Sequence, residues 1–248
     1  MEAIVILGTG LAGYTLAREF RKLDQDRKLV LITLDDGAFY SKPMLSNALA
    51  KNKTAAALVQ QTAEQMAETL QADIITHTAI DAIDLTTQTV SNGERSWKYA
   101  QLVLALGASQ IKLPISGDGA KDILSVNTLQ DYELFRDRLE NCKRVAIMGP
   151  GLIGCEFAND LANAGLSVDV IGPDQHPLQL LMPEPAGKAL QTALTEINVS
   201  WHLQDTVSAV SKTSEGYQLQ LNSGATLETD LVLSAAGLRP NTTLAAAA

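Results

Sequence analysis

Cysteine is almost absent from this chain. Of 248 residues only Cys142 and Cys155 are cysteine, with neither the numbers nor the C-x-x-C spacing for a metal site. Both read most simply as buried thiols. Histidine is nearly as scarce: His77, His176 and His202 are scattered and read as packed or surface residues, so no metal is expected. Long apolar runs are missing too. The longest are strand-sized, which excludes a membrane-spanning helix and leaves no expected membrane insertion. The opening MEAIVIL leads straight into a strand without basic residues, so no signal peptide is expected, and the expected compartment is the cytoplasm. Positive charge is in deficit: 19 Lys and Arg against 28 Asp and Glu leave a net charge of −9, which argues against nucleic acid or an acidic membrane surface as the main partner.

What the chain does have is apolar bulk and well-placed glycine. With 46% apolar residues it can bury real cores, and its length fits one large or two ordinary domains. The pattern G-x-G-x-x-G occurs twice, as Gly8-Thr9-Gly10-Leu11-Ala12-Gly13 and as Gly149-Pro150-Gly151-Leu152-Ile153-Gly154. Each copy follows a short apolar run and opens a helical pattern. Ala3 to Leu7 precedes the first, with Gly13, Leu16, Ala17, Phe20 and Leu23 then at helical spacing. Val145 to Met148 precedes the second, with Ile153, Phe157, Leu161 and Ala164 following and Gly165 as a stop. In such a turn the first glycine permits a tight bend, the second lets the backbone approach a pyrophosphate, and the third lets the helix lie close on the sheet. The diphosphate sits on the helix N-terminus, where N–H groups lack intrahelical partners. Two such sites imply two nucleotide cofactors and a hydride passing between them.

The two halves repeat one plan. After the first fingerprint and a second strand (Leu29 to Leu34), Ala79 to Asp84, Thr89 to Asn92 and Glu94 to Tyr99 predict a meander, closed by a separate strand from Leu102 to Gly107. After the second come Val207 to Lys212, Tyr217 to Leu221, a turn at Asn222-Ser223-Gly224 and a strand from Leu231 to Gly237. The expected fold is α/β: two Rossmann-like dinucleotide-binding domains with three-layer parallel sheets and antiparallel meanders. Their expected bounds are 1–112 and 113–238, with Pro114 to Gly119 as crossover and 239–248 starting a return to the first domain.

Several segments resemble the FAD-dependent pyridine-nucleotide oxidoreductases. They are the ordered fingerprints, Tyr40-Ser41-Lys42-Pro43-Met44-Leu45-Ser46, Leu104 to Ala108, Gly149 to Glu156, and Ser234 to Thr242. The resemblance runs over essentially the whole chain, and within the family it looks closest to members that reduce rubredoxin. It implies that the first fingerprint holds FAD and the second, in an inserted domain, NADH. Asp35 would bond the adenosine ribose, the acid wanted about 20 residues on; the plainer reading is a turn residue of Asp35-Asp36-Gly37. Lys42 would sit beside the flavin and Pro43 would shape the turn. The backbone of Ile80 would meet adenine, Ala105 to Gly107 would line the flavin site, Gly237 would close the second half beside its cofactor, and Glu156 would lie where nicotinamide meets flavin. For Lys42 a solvated surface lysine, and for Glu156 an acid at a helix N-terminus, remain open.

Disulfide reductases of this kind carry a C-x4-C pair, and peroxidases one cysteine, opposite the flavin. Here no cysteine precedes position 142, so electrons are expected to leave the flavin singly for an external carrier, with no side chain required as acid, base or nucleophile. A rubredoxin is the partner the resemblance suggests. A ferredoxin serving an oxygenase, or a non-catalytic FAD- and NAD(H)-binding sensor, are the alternatives. After the second strand of the second half stands Gly172-Pro173-Asp174, with no Arg or Lys for a 2′-phosphate, so NADH is preferred over NADPH. Lys51 and Lys53 are candidates for a local basic patch facing an acidic carrier, or an ordinary solvated loop. Family members continue past Thr242 into a second FAD segment and a C-terminal interface domain, so the resemblance implies a truncated chain lacking contacts at the ribityl end of FAD.

Overall fold

A computed structural model describes residues 2–248. In chain order the elements are β1 (Ala3–Leu7), α1 (Leu11–Leu23), β2 (Leu29–Ile32), β3 (Phe39–Tyr40), a 3-10 turn (Lys42–Ser46), α2 (Ala55–Leu58), β4 (Val59–Gln61), α3 (Ala63–Leu70), β5 (Asp73–Ile75), β6 (Ala82–Asp84), β7 (Thr89–Ser91), β8 (Ser96–Leu104) and β9 (Ala108–Gln110). There follow α4 (Leu129–Arg138), β10 (Arg144–Met148), α5 (Leu152–Asn163), β11 (Ser167–Gly172), α6 (Glu184–Thr195), β12 (Val199–Leu203), β13 (Val207–Lys212), β14 (Tyr217–Leu221), β15 (Thr226–Thr229), β16 (Leu231–Ser234), β17 (Leu238–Pro240) and α7 (Thr243–Ala246). They form two compact units. The first comprises Met1–Lys42, Ala56–Ser109 and Arg239–Ala248, the second Pro43–Ala55 and Gln110–Leu238. The segment Pro43–Ala55 thus belongs with residues that follow it by more than fifty positions. Among the described residues no helix is long and apolar enough to cross a membrane.

The first unit is built on a six-stranded sheet of order β5-β2-β1-β8-β7-β6, parallel from β5 to β8 and antiparallel beyond. All five residues of β1 are buried, as a strand covered on both faces requires. Its alternation divides two cores. Ile4 and Ile6 pack with Tyr14, Ala17, Met66 and Leu70 on the helical side, while Ala3, Val5 and Leu7 pack with Val90 and Tyr99 on the other. The separate strands expected at Glu94 to Tyr99 and Leu102 to Gly107 are one: β8 runs nine residues without a break. Its first half pairs antiparallel with β7 and its second half parallel with β1, the register shifting once opposite Ala3 and Ile4. No turn residue interrupts Tyr99-Ala100-Gln101-Leu102, so nothing ends the strand.

In the second unit the meander stands apart. A four-stranded parallel sheet, β12-β11-β10-β16, is covered on one face by a three-stranded antiparallel sheet, β13-β14-β15. Asp230 makes the break between β15 and β16: its carboxylate accepts from the N–H groups of Lys143 (2.6 Å) and Arg144 (2.9 Å). On the other face α4 and α5 meet through an edge-to-face pair, Phe135 and Phe157, with centroids 5.5 Å apart. Gly165, with φ +93°, ends α5 as expected. Two expected apolar positions of α1 do not reach the core: Leu16 and Leu23 are 39% and 87% exposed, whereas Gly13 and Ala17 are buried as expected and Tyr14 joins them. Ile153, expected inward on α5, is 41% exposed at the helix start.

Candidate nucleotide-binding sites

The two fingerprints fold into the same backbone frame. Gly8 (φ +107°) and Gly149 (φ +118°) occupy the left-handed region at the strand ends. A Cβ on Gly8 would overlap the carbonyl oxygen of Ala105, and one on Gly149 would stand 2.5 Å from that of Ala235. On Gly13 and Gly154 a Cβ would overlap the carbonyl oxygen of the first glycine of the same motif. The hydrogen bonds repeat as well. Gly8 N–H donates to Ile32 and Gly149 N–H to Ile171, while Ala105 N–H donates to Leu7 and Ala235 N–H to Met148, all at 2.8 Å. Internal crowding therefore accounts for two glycines in each motif. The middle glycines differ: a Cβ on Gly10 or Gly151 would meet nothing within 4 Å. The protein supplies no reason for glycine there, whereas a ligand lying against the backbone does.

Gly10 and Gly151 are the N-caps of α1 and α5, and neither helix has a capping side chain or an acid in its first turn. By contrast α3 and α4 open with reciprocal capping boxes, Thr62 with Gln65 and Thr128 with Asp131. The first-turn N–H groups of Leu11, Ala12 and Gly13, and of Leu152, Ile153 and Gly154, have no intrahelical acceptor. Leu11 and Leu152 are 56% and 51% exposed. Open donors at the positive end of a helix suit a diphosphate, and the residues present fit one at both places.

Around the first frame the chain gathers several of the expected residues. Asp35 Oδ1 accepts from the Thr33 hydroxyl (2.6 Å), Gly37 N–H (3.0 Å) and the Thr9 hydroxyl (3.4 Å). Asp35 is therefore a turn residue and is also tied to the fingerprint. His77 N–H donates to the Asp35 carbonyl and Thr78 N–H to that of Thr33, so the segment leading to Ile80 is fastened to the same strand end. Tyr14, fully buried, donates to the Gly37 carbonyl at 2.5 Å; burial, reinforced by the charges of Asp35 and Asp36, pushes its phenol well up. Ala105 lies over Gly8, and Gly107 follows in the left-handed region (φ +67°) with open space beside it. Asn241 clamps this loop: its N–H donates to Gly107 O (3.0 Å), its Nδ2 to Leu106 O (2.9 Å), and its Oδ1 accepts from Ser109 (2.7 Å). That role was invisible in the sequence, because the partners lie over 130 residues apart.

In the second frame Pro150 replaces the threonine and is buried. A Cβ on Gly172 would overlap the Pro150 ring at Cδ, so the missing N–H would have pointed into the end of β11, away from the open helix N-terminus. Gly172 is small because Pro150 lies on it. Asp174 is half-buried in the loop beyond, its carbonyl accepting from Gln204 N–H (3.1 Å). Gly237 (φ +104°) accepts at its carbonyl from Ile111 N–H (3.0 Å). Cys155 is buried, and burial, with the Glu156 charge adding, raises its thiol to about 11. Cys142, expected to be buried, is partly exposed.

Lys42 and Pro43 start the 3-10 turn and both are exposed. The turn ends at Ser46, whose hydroxyl donates to Glu156 Oε2. Lys51 and Lys53 are exposed, and Lys51 Nζ donates to Asn47 Oδ1 at 3.4 Å. Nothing in the sequence marks what fastens this stretch: Asp160 accepts the N–H groups of Leu49 (2.8 Å) and Ala50 (3.0 Å), and the Lys53 carbonyl accepts from the hydroxyl of Tyr132 (2.9 Å) and from Arg136 (2.8 Å).

Two open helix N-termini, each at the carboxyl end of a parallel strand and each framed by the same three glycines, define a protein of the double dinucleotide-binding class. The chain belongs to the pyridine nucleotide-disulphide oxidoreductase family, whose model matches residues 2–248. It is 45% identical over 246 residues to the rubredoxin-NAD(+) reductase of Alcanivorax borkumensis and 46% identical over 253 residues to that of Acinetobacter baylyi, in each case covering 99% of this chain and 64% of the relative. Among solved structures it is similar to a ferredoxin reductase from Rhodopseudomonas palustris, with a TM-score of 0.91 and 25% identity, covering 100% of this chain and 61% of that one. The chain thus spans 64% of the length of the curated relatives it matches.

Proposed function

We propose that this chain carries the FAD- and NADH-binding units of a flavoprotein oxidoreductase that passes electrons singly from NADH to a rubredoxin. The observation that carries the reading is the duplicated frame with its two middle glycines, Gly10 and Gly151, facing open space. The first frame would hold the FAD pyrophosphate on the N–H groups of Leu11, Ala12 and Gly13, with the Asp35 carboxylate on the ribose, Ile80 at the adenine, and Lys42, Pro43 and Ala105 to Gly107 toward the flavin. The second frame would hold NADH on Leu152, Ile153 and Gly154, with Gly237 closing its loop and Glu156 toward the nicotinamide. When bound, FAD supplies the acceptance of a hydride and its release as single electrons. The chain binds and orients; no side chain is assigned as acid, base or nucleophile. No cation follows β11 within Gly172-Pro173-Asp174, which supports NADH over NADPH. A cytoplasmic location belongs to this reading, since two unpaired cysteines stay reduced there.

Rubredoxin as acceptor is supported by the relatives at 45% and 46% identity. The likeness to a ferredoxin reductase favours a ferredoxin as the second reading. The test is an anaerobic absorbance titration of the purified chain, supplied with FAD, against NADH and then NADPH. Bleaching by NADH well before NADPH, followed by reoxidation on adding rubredoxin, is the expected result. A chain that retains flavin but is not bleached by NADH overturns the assignment, and faster reoxidation by a ferredoxin moves it to the second reading.

A further inference from the structure

One carboxylate outside both glycine frames takes hold of a segment more than a hundred residues away. Asp160 lies on α5 and is only 4% exposed. A carboxylate removed from water is costly unless hydrogen-bonded, and both oxygens of Asp160 are met by backbone donors of one stretch, Oδ2 by Leu49 N–H and Oδ1 by Ala50 N–H. Such charge-assisted bonds are stronger and more directional than neutral ones. One turn earlier on the same helix face, Glu156 Oε2 accepts from the Ser46 hydroxyl. Ser46 and Leu49 follow each other across the segment as Glu156 and Asp160 follow each other along α5, so the two grips form one patch. The far end is fastened independently, by Tyr132 and Arg136 on the Lys53 carbonyl. Burial raises the Asp160 carboxyl despite these bonds.

We propose that Asp160 is a positioning residue: by holding Leu49 and Ala50 it keeps the Pro43–Ala55 segment on α5 and the Ser46 hydroxyl on Glu156. Its bearing on hydride transfer rests on the function proposed above, in which Glu156 faces the nicotinamide; the positioning itself does not. Two variants probe it in the whole chain. Asp160→Asn replaces one acceptor oxygen by an NH2 group confronting a backbone N–H, and Ser46→Ala removes the hydroxyl directly. In D160N, amide exchange at Leu49 and Ala50 accelerates by about tenfold or more. The carbon-13 resonance of the Glu156 carboxyl moves in the direction it moves in S46A, and the double variant moves it no further. With FAD and NADH supplied, D160N slows flavin reduction by about tenfold to a hundredfold while the NADH concentration for half-saturation stays in place. S46A adds nothing to that loss.

Unchanged exchange at Leu49 and Ala50, or a Glu156 resonance that D160N leaves where it was, overturns the proposal. So do additive effects of D160N and S46A on that resonance. Should D160N fail to fold, Asp160→Ser, which reaches neither amide and leaves no buried charge, is read by the same measures. If the native chain shows no flavin reduction at all, the proposed function falls, while exchange and the carboxyl resonance still decide the positioning role.

Discussion

A single methyl group separates the roles of the glycines within each fingerprint. On Gly13 or Gly154 it would overlap a backbone carbonyl that cannot move without dragging the strand–helix turn, so Gly13→Ala and Gly154→Ala are expected to lower stability by about 2 kcal/mol or more in denaturant melts. On Gly10 the methyl meets nothing, and the residue already has φ −67°. Gly10→Ala and Gly151→Ala should therefore melt within about 0.5 kcal/mol of the native chain while losing FAD and NADH respectively, as measured by equilibrium dialysis. These glycines were legible in the sequence because a local turn dictates them. Ser46, Asp160 and Asn241 were not, because each is defined by a partner over a hundred residues away and leaves no periodic mark. Cys155 makes a prediction of another kind. Its thiol is raised from 9 to about 11, so the folded state holds the proton more tightly than the unfolded one. That contribution to stability is complete below pH 9 and disappears as pH rises toward 11. Thermal melts should fall through this window, less so in Cys155→Ala.

Among the helices, the manner of starting tells structural elements from binding elements. The capping boxes of α3 and α4 satisfy their own first-turn donors, and Thr128→Ala should cost about 1 kcal/mol in a melt. The donors of α1 and α5 wait for a ligand, so NADH at about a hundred times its dissociation constant should stabilise the chain by about 2.7 kcal/mol, an effect absent in G151A. Strands were readable wherever apolar runs met turn residues, as at Ala3–Leu7 and Val207–Lys212. In the sequence β8 reads as two strands although no turn residue divides it, and β15 leaves no mark because Thr226–Thr229 is short and has a single apolar side chain, Leu227. At the junction of β15 and β16, Asp230 accepts two amides and the Thr229 hydroxyl donates to the carbonyls of Arg144 and Leu231; the first half has no acid or hydroxyl between Tyr99 and Leu102.

Taken whole, the molecule is woven rather than strung. The chain passes from one unit to the other after Lys42, Ala55, Ser109 and Leu238, so no single cut yields both units complete. A fragment of Gln110–Leu238 alone is expected to melt below the same fragment carrying Pro43–Ala55 on a flexible linker, since only the second restores the donors to Asp160. Equal melting of the two would mean that the segment contributes nothing to its host. The weave also imposes an order of events on the ribosome. Leu49 and Ala50 emerge 111 and 110 residues ahead of the carboxylate that receives them, a wait of roughly 5–20 s at ordinary rates of synthesis. Throughout that interval Leu45 and Ala48, which end up buried, are bare to solvent on an unpaired loop, so chaperone capture of nascent chains should concentrate there and cease once α5 has cleared the exit tunnel.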